Sequence, residues 1–275
     1  MSGAAHEAAD LPSADRLATV GLRLEVADAV ATVVLDRPER RNAQTPAMWT
    51  ALADIGRGLP AGVRVVVFRG EGASFSAGID LAMFTPEGLP GTLSLLDMAG
   101  LPDDDAQRVI SGFQDAFTWQ RRSDIVSIAA VQGHAVGGGF QLALACDLRV
   151  LADDAQFTMA ETMRGIVPDL GGSGLLVDLV GYPRALEICA TGRRVGAAEA
   201  LRLGLAEVVV PRDELDATVK DLVAALLSAP PGAVAETKAL LGGARSRTTE
   251  ERLAAERAAQ LRRLRNLAGV PENES

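Results

Sequence analysis

A chain of 275 residues has room for a full buried core, and 48% hydrophobic with 23% charged residues is ordinary for a soluble globular protein. A net charge of −9 argues against a broad nucleic-acid surface but leaves room for an anionic ligand held by a local cluster of arginines. Cys146 and Cys189 lack metal-ligand spacing and suit a reducing cytosol, and no apolar run is long enough to span a membrane, so a cytoplasmic protein without a membrane partner is expected.

The first residues, MSGAAHEAADLPSADR, lack a basic stretch followed by an apolar core, and residues 1–20 read as a disordered tail rather than a signal peptide. Leu22 to Leu35 then alternates as a hairpin with Asp28 near its turn. The loop DRPERRNAQ, Asp36 to Gln44, carries Arg37, Arg40 and Arg41. Thr45 and Pro46 have the N-cap and first-position chemistry of a helix running to about Gly58. Val63 to Arg69 reads as a buried strand leading into GEGASFSAGIDLAMF, a glycine-rich exit. Thr85 to Asp105 is rich in Pro, Gly and Asp, and is either a pocket wall or a mobile insertion. Gln107 to Arg121 predicts a helix with Val109, Ile110, Phe113 and Phe117 on its core face.

The centre of the chain is IAAVQGHAVGGGFQLALACD, Ile128 to Asp147. A small-apolar run suits a strand covered on both faces, three glycines follow, and Gln141 to Cys146 continues as an apolar helix. The first amides of a helix lack internal partners and lie at its positive end, so the Gly138 N–H could meet a developing negative oxygen. The alternative is a close packing turn without a ligand. Short strands are expected at Asp147 to Ala152, Gln156 to Met159 and Val208 to Val210. Helices are expected from about Leu175, over Tyr182 to Ala190 closed by Gly192, and over Ala197 to Leu203 closed by Gly204. From Pro211 onward the pattern is helical, with segments Asp213 to Leu227, Ala233 to Leu241 and Thr248 to Leu267, the last with a solvated arginine-rich face.

Several chemistries lack their residues. His6 lies in the tail and His134 in an apolar strand exit, so a Ser-His-Asp or Cys-His site has little to draw on. Walker A, CxxC and HExxH sequences do not occur, and no metal site is expected. Carboxylate chemistry supported by backbone amides remains.

Three stretches together resemble the crotonase superfamily, the enoyl-CoA hydratase/isomerase family: SFSAGIDL from Ser74, AAVQGHAVGGGFQLALACDLRV from Ala129, and AQFTMAETMRGIVPDLGG from Ala155. LDRPERRNA and TGRRVGAAEALRLGLAEVVV support them in the right order, and the likeness runs from about Leu22 to the final helices. The resemblance implies an α/β fold, a spiral of ββα turns over residues 21–210 with a C-terminal helical trimerisation region over 211–275. It implies a homotrimer or a dimer of trimers. Its substrate would be a coenzyme A thioester, with coenzyme A part of the substrate and no separate cofactor.

By motif, the amides that grip the thioester oxygen fall on Ala77 and Gly138. Gly78, Ile79 and Asp80 would line the pantetheine, and Arg37, Arg40 and Arg41 would border the nucleotide phosphates. Hydratases of the family use two glutamates. Glu161 matches the second, while the first falls on Gln141, which exchanges no proton at neutral pH. The family's enoyl-CoA isomerases manage with one glutamate at the Glu161 position. Asp169 stands where dienoyl-CoA isomerases and dehalogenases carry an aspartate, and is either a second catalytic acid or a helix cap. Isomerisation of an enoyl-CoA is the first expectation, hydration the second, and a non-catalytic acyl-CoA-binding protein the third.

Overall fold

A computed structural model describes residues 10–270 of the chain. Its elements in order are α1 (Ala14–Thr19), β1 (Leu22–Ala27), β2 (Val30–Leu35), α2 (Pro46–Gly58), β3 (Val65–Gly70), α3 (Leu95–Ala99), α4 (Asp103–Gln114), β4 (Val126–Val131), β5 (His134–Val136), α5 (Gly138–Ala145), β6 (Leu148–Ala152) and β7 (Gln156–Thr158). After them come α6 (Gly172–Val180), α7 (Tyr182–Thr191), β8 (Arg194–Gly196), α8 (Ala197–Leu203), β9 (Val208–Val210), α9 (Leu215–Ser228), α10 (Pro231–Gly242) and α11 (Thr249–Leu267).

A six-stranded sheet has the order β1-β2-β3-β4-β6-β9, and a three-stranded sheet has the order β5-β7-β8. The β1–β2 pair is antiparallel, with Leu22 opposite Leu35, and every later pair of the large sheet is parallel. The chain alternates between the sheets: β4 leads to β5, and β6 leads to β7. Each step therefore lays one strand in either layer before a helix returns, which is the ββα spiral expected. An earlier turn follows the same route, because the segment after β3 bridges Ser76 to Ala135 on β5.

Alternation of side chains along the strands makes two cores. Val66, Phe68, Ala129 and Val131 face a large cluster with the helices of the spiral, including Leu52 and Ile55 of α2 and Leu142 of α5. Val65, Val67, Ile128, Ala130, Val150 and Ala152 face the other way, onto Leu215 and Val219 of α9. Strands buried on both faces read as unbroken apolar runs, and β4 is buried throughout. The 210/211 boundary thus falls just before a helix that closes the same sheet. Farther on, the Lys238 ammonium fastens α10 to the body through Asp147 Oδ2 at 2.6 Å, Ile125 O at 2.7 Å and Gln120 O at 3.1 Å.

Some expectations need correction. Of the tail drawn over residues 1–20, residues 1–9 lie outside the described residues, but Ala14–Thr19 is a helix. The Ser13 hydroxyl caps it, and its one apolar anchor, Leu17, is 2% exposed in the core. The helix placed at Gln107 to Arg121 starts earlier, at Asp103, where three aspartates favour its positive end, and stops at Gln114. Tight 3-10 turns at Asp115–Phe117 and Trp119–Arg121 carry the chain on, burying Phe117 and Trp119. The α6 helix begins at Gly172, ahead of Leu175. The strands β5 and β8 were not anticipated.

Arg149, on β6, is 2% exposed. Its guanidinium donates to Leu205 O at 2.9 Å, Cys146 O at 2.8 Å and Glu207 Oε1 at 2.8 Å, tying β6 to the approach to β9. Arg149→Met would fill similar volume but strand two buried carbonyls. A loss of about 2–5 kcal/mol is expected, measured by urea unfolding.

Candidate active site

The site forms where the two layers meet at the start of α5. Gly137 has φ 50° and ψ −119°, a region closed to other residues, and turns β5 into the helix. Gly138 is the first helical residue, so its N–H has no partner within α5. A Cβ on Gly137 would lie 3.3 Å from Glu161 Oε1 and 3.7 Å from Oε2, which places that carboxylate directly beside the turn. Gly139 has a different reason to be small, since its Cβ would meet Ser76 O at 2.6 Å.

The neighbouring segment, residues 76–80, lies between two partners. Toward β5, Ser76 N–H donates to His134 O at 2.9 Å and Ser76 O accepts from Val136 N at 2.9 Å. On the opposite side, Gln44 N–H donates to Gly78 O at 2.7 Å and Asp80 N–H to Gln44 O at 2.8 Å. Residues flanking Ile79 thus pair with Gln44, and the Ile79 amide faces the other way, toward the start of α5. It has no acceptor among the described residues. Gly78, at φ +81°, brings the backbones together: a Cβ there would be 3.4 Å from Gly138 N.

This overturns one expectation. The Ala77 N–H is consumed by Arg41 O at 2.8 Å, on the side away from α5. Ala77 therefore cannot supply the second amide, and Ile79, expected only as a wall, presents it. Nothing within SAGID itself marks which N–H turns inward, because the left-handed turn at Gly78 is a feature of the folded chain. The Gly138 N–H is likewise without an acceptor among the described residues.

Glu161 is 6% exposed. Its Oε1 accepts from Gln141 Nε2 at 2.6 Å, while Oε2 is buried without a partner among the described residues. Gln141 is held in turn, because its Oε1 accepts from Leu170 N at 3.0 Å and Gly172 N at 3.2 Å. Those bonds fix which end of the amide faces Glu161, since backbone N–H groups only donate. Burial pushes the Glu161 carboxyl above the ordinary glutamate range; its own amide and Gln141 pull it back, and the charge of Asp169 raises it further.

Asp169 is half-buried, and burial raises its carboxyl too. The helix-cap alternative fails: α6 is entered through Gly171 without a side-chain cap. Asp169 is instead placed through its backbone, whose carbonyl accepts from Gln114 Nε2 at 2.7 Å.

The arginines of the first loop divide. Arg37 donates to Ala43 O at 2.7 Å and to Asp80 Oδ2 at 3.1 Å, an ion pair that offsets its charge. Asp80 also caps the turn Leu81–Phe84 by accepting from Ala82 N at 3.2 Å. Arg40 and Arg41 are exposed and form no ion pair among the described residues. Exposed apolar side chains, Leu81, Leu93, Leu96, Met163 and Val167, belong to the segments on either side of the site. No cluster of three or more His, Cys, Asp or Glu among the described residues is arranged to hold a metal.

Two unpaired amides and a buried carboxylate can together stabilise an enolate and move a proton beside it. The comparisons agree with that chemistry. Residues 25–266 match the model of a family described as enoyl-CoA hydratase/isomerase. The peroxisomal Delta(3,5)-Delta(2,4)-dienoyl-CoA isomerase of Arabidopsis thaliana is 34% identical over 192 residues, 70% of this chain and 68% of that protein. The hydroxycinnamoyl-CoA hydratase-lyase of Pseudomonas fluorescens is 33% identical over 215 residues, 76% of this chain and 74% of that protein. A Thermobifida fusca protein with the provisional name enoyl-CoA hydratase, solved in complex with CoA, superimposes with a TM-score of 0.90 at 50% identity, covering 95% of this chain and 99% of the other. The match spans the spiral and the helices after it, and the chain belongs to the crotonase superfamily as an enzyme of the enoyl-CoA hydratase/isomerase family.

Proposed function

We propose that this enzyme shifts a carbon–carbon double bond within an enoyl-CoA, with Glu161 as the base and the amides of Ile79 and Gly138 as donors to the thioester oxygen. Glu161 takes a proton from C2 of a 3-enoyl-CoA, and the electron pair moves through the carbonyl carbon onto that oxygen. The dienolate is held by the two amides, whose bonds strengthen as charge develops. The proton returns at C4, and the double bond lies between C2 and C3. Atoms and charge balance without a co-reactant.

The observation that carries this reading is the Gln141 bridge. Its amide oxygen is occupied twice by Leu170 and Gly172, and its nitrogen by Glu161, so this position holds the base and supplies no second acid. Asp169 favours an extension to longer conjugated systems, because it is near enough to raise Glu161 and could receive the proton at a more distant carbon. The dienoyl-CoA isomerase relative supports that extension. An acyl-CoA substrate is supported by a related Thermobifida fusca structure, 50% identical with a TM-score of 0.89, in complex with acetoacetyl-CoA. Arg40 and Arg41, rather than Arg37, are the candidates for the nucleotide phosphates. The exposed leucines Leu241, Leu253, Leu261, Leu264 and Leu267 on α10 and α11 support subunit contacts in a trimer or a dimer of trimers. A cytoplasmic setting fits the two free cysteines.

The test is incubation with 2-enoyl, 3-enoyl and dienoyl-CoA esters in deuterated water, followed by mass spectrometry. Isomerisation gives deuterium at C2, C4 or beyond with no addition of water. A hydrated product would replace this reading with hydration. Binding without either, unchanged in Glu161→Gln, would leave only a binding protein.

The raised Glu161 carboxyl gives a pH signature. Ionised Glu161 is the active form, so kcat/KM should fall as pH drops through a value above the ordinary glutamate range. Asp169→Asn removes the repelling charge and lowers the Glu161 pKa, so the acid limb should move to lower pH. A stopped-flow pH profile of the two proteins reads the displacement, whatever the change in maximal rate.

A further inference from the structure

Gln114 and Gln141 hold opposite ends of one peptide bond. Gln114 is the last residue of α4, and its Nε2 donates to Asp169 O at 2.7 Å. The N–H of that same peptide unit, on Leu170, donates to Gln141 Oε1 at 3.0 Å. Gln141 Nε2 then donates to Glu161 Oε1 at 2.6 Å. Three amides are thus joined in series, and the series ends on the carboxylate. Its direction is fixed, because a carbonyl only accepts and a backbone N–H only donates.

An amide that accepts at oxygen becomes a better donor at nitrogen, so the bonds of such a chain strengthen one another. The effect is largest where water is excluded, and Leu170, Gln141 and Glu161 are 4%, 1% and 6% exposed. Gly172 N, at the start of α6, adds a second bond to Gln141 Oε1 at 3.2 Å and polarises that amide in the same sense. The far end of the chain is firmly mounted. Phe113 packs on Trp49 at 4.9 Å between ring centres, and the turn after Gln114 buries Ala116 and Phe117.

We infer that Gln114 is a positioning residue for proton transfer: it clamps and polarises the Asp169–Leu170 peptide, and through Gln141 it helps to hold Glu161 as an ionised base. The inference rests on the reading of Glu161 as the base and assigns part of its control to a side chain that makes no hydrogen bond to it. Gln141 pulls the Glu161 carboxyl down against burial, and a weaker Gln141 donor lets it rise. The other titratable groups acting on or facing Glu161 are Asp169, whose charge raises it, and the Cys189 thiol on α7, which burial and Glu161 keep neutral.

Gln114→Met keeps the length of the side chain and removes the donor. Gln114→Leu is a second variant, and thermal melts check that both fold. The Glu161 carboxyl is titrated by carbon-13 NMR on the ligand-free enzyme, its signal identified by loss in Glu161→Gln, beside the kcat/KM profile for a 3-enoyl-CoA. The midpoint should rise by about 0.2–0.5 pH unit, as when a hydrogen bond to a charged group loses about 10–30% of its strength. The acid limb of the profile should move with it, and the Gln141 side-chain N–H resonances should shift upfield. The rise should persist when Asp169→Asn is carried in every protein, which removes the charge whose displacement would imitate it. An unchanged midpoint in the folded variants, or a rise with no change at the Gln141 N–H, would overturn the inference. The expected NMR shifts in an enzyme that turns over no enoyl-CoA ester would instead sink the isomerase reading and leave the relay standing.

Discussion

Replacing Glu161 by glutamine is expected to slow turnover by about 10²–10⁴-fold, the usual contribution of a positioned base, with acyl-CoA affinity nearly unchanged. The substitution is close to silent in shape. The new side-chain oxygen can still accept from Gln141 Nε2, and its nitrogen takes the place of Oε2, which has no partner to lose. Single-turnover rates beside equilibrium binding separate the two effects. The same variant should be more stable than wild type at neutral and alkaline pH. Folding raises the Glu161 pKa, so the folded chain holds that proton more tightly than the unfolded one. The resulting stabilisation is complete below the unfolded pKa and is lost as pH rises through the folded one. The gap in melting temperature between variant and wild type should therefore widen from pH 4 to pH 8. A variant that melts earlier at pH 8 would mean that the ionised carboxylate is welcome where it lies, and that its burial is not the source of its basicity.

Gly78→Ala should be nearly as damaging by another route. A Cβ at Gly78 would be 2.4 Å from Val136 O, a backbone atom, and the residue has φ +81°, which other side chains adopt at a cost of about 1–3 kcal/mol. The strand must retreat from β5, and the Ile79 amide retreats with it. Loss of one such donor typically lowers kcat by about 10²–10³-fold. A fall in melting temperature should accompany the loss, whereas Glu161→Gln shows none. Gly174→Ala is the control: on α6 its methyl group meets open space, and neither activity nor stability should suffer. Full activity in Gly78→Ala would remove Ile79 from the mechanism and leave Gly138 to act alone.

Much of this was legible in the chain because local chemistry decided it. Thr45 does cap α2 by accepting from Met48 N, Gly192 and Gly204 do close their helices in left-handed conformations, and Asp28 does turn the hairpin at φ 51°. The strands β5 and β8 escaped although the equally short β7 and β9 did not: His134–Val136 lies between glycines as the exit of β4, and Arg194–Gly196 has Val195 as its one apolar residue. The α1 helix escaped because it has a single apolar anchor. At the site, the glycine run and Glu161 were readable as residue types in sequence. Which amide of SAGID points inward was not. That depends on pairing with Arg41 on one side and His134 on the other, both remote in the chain, and on Gly78, whose left-handed φ of +81° breaks the alternation so that Ala77 and Ile79, two residues apart, face opposite ways. The fate of Arg37 was equally hidden, because a charge in the sequence does not disclose that Asp80 will neutralise it.

The double-sided sheet also constrains how the molecule can be made. Leu215 and Val219 of α9 cover the face formed by Val65, Val67, Ile128, Ala130, Val150 and Ala152, yet they are synthesised after all of those strands. A nascent chain that has emerged only as far as β9 holds a sheet with one greasy side open to water, a species prone to sticking to its neighbours. Completion waits for the last quarter of translation. Premature termination anywhere before Ser228 should therefore yield aggregates or chaperone clients, not a smaller working enzyme.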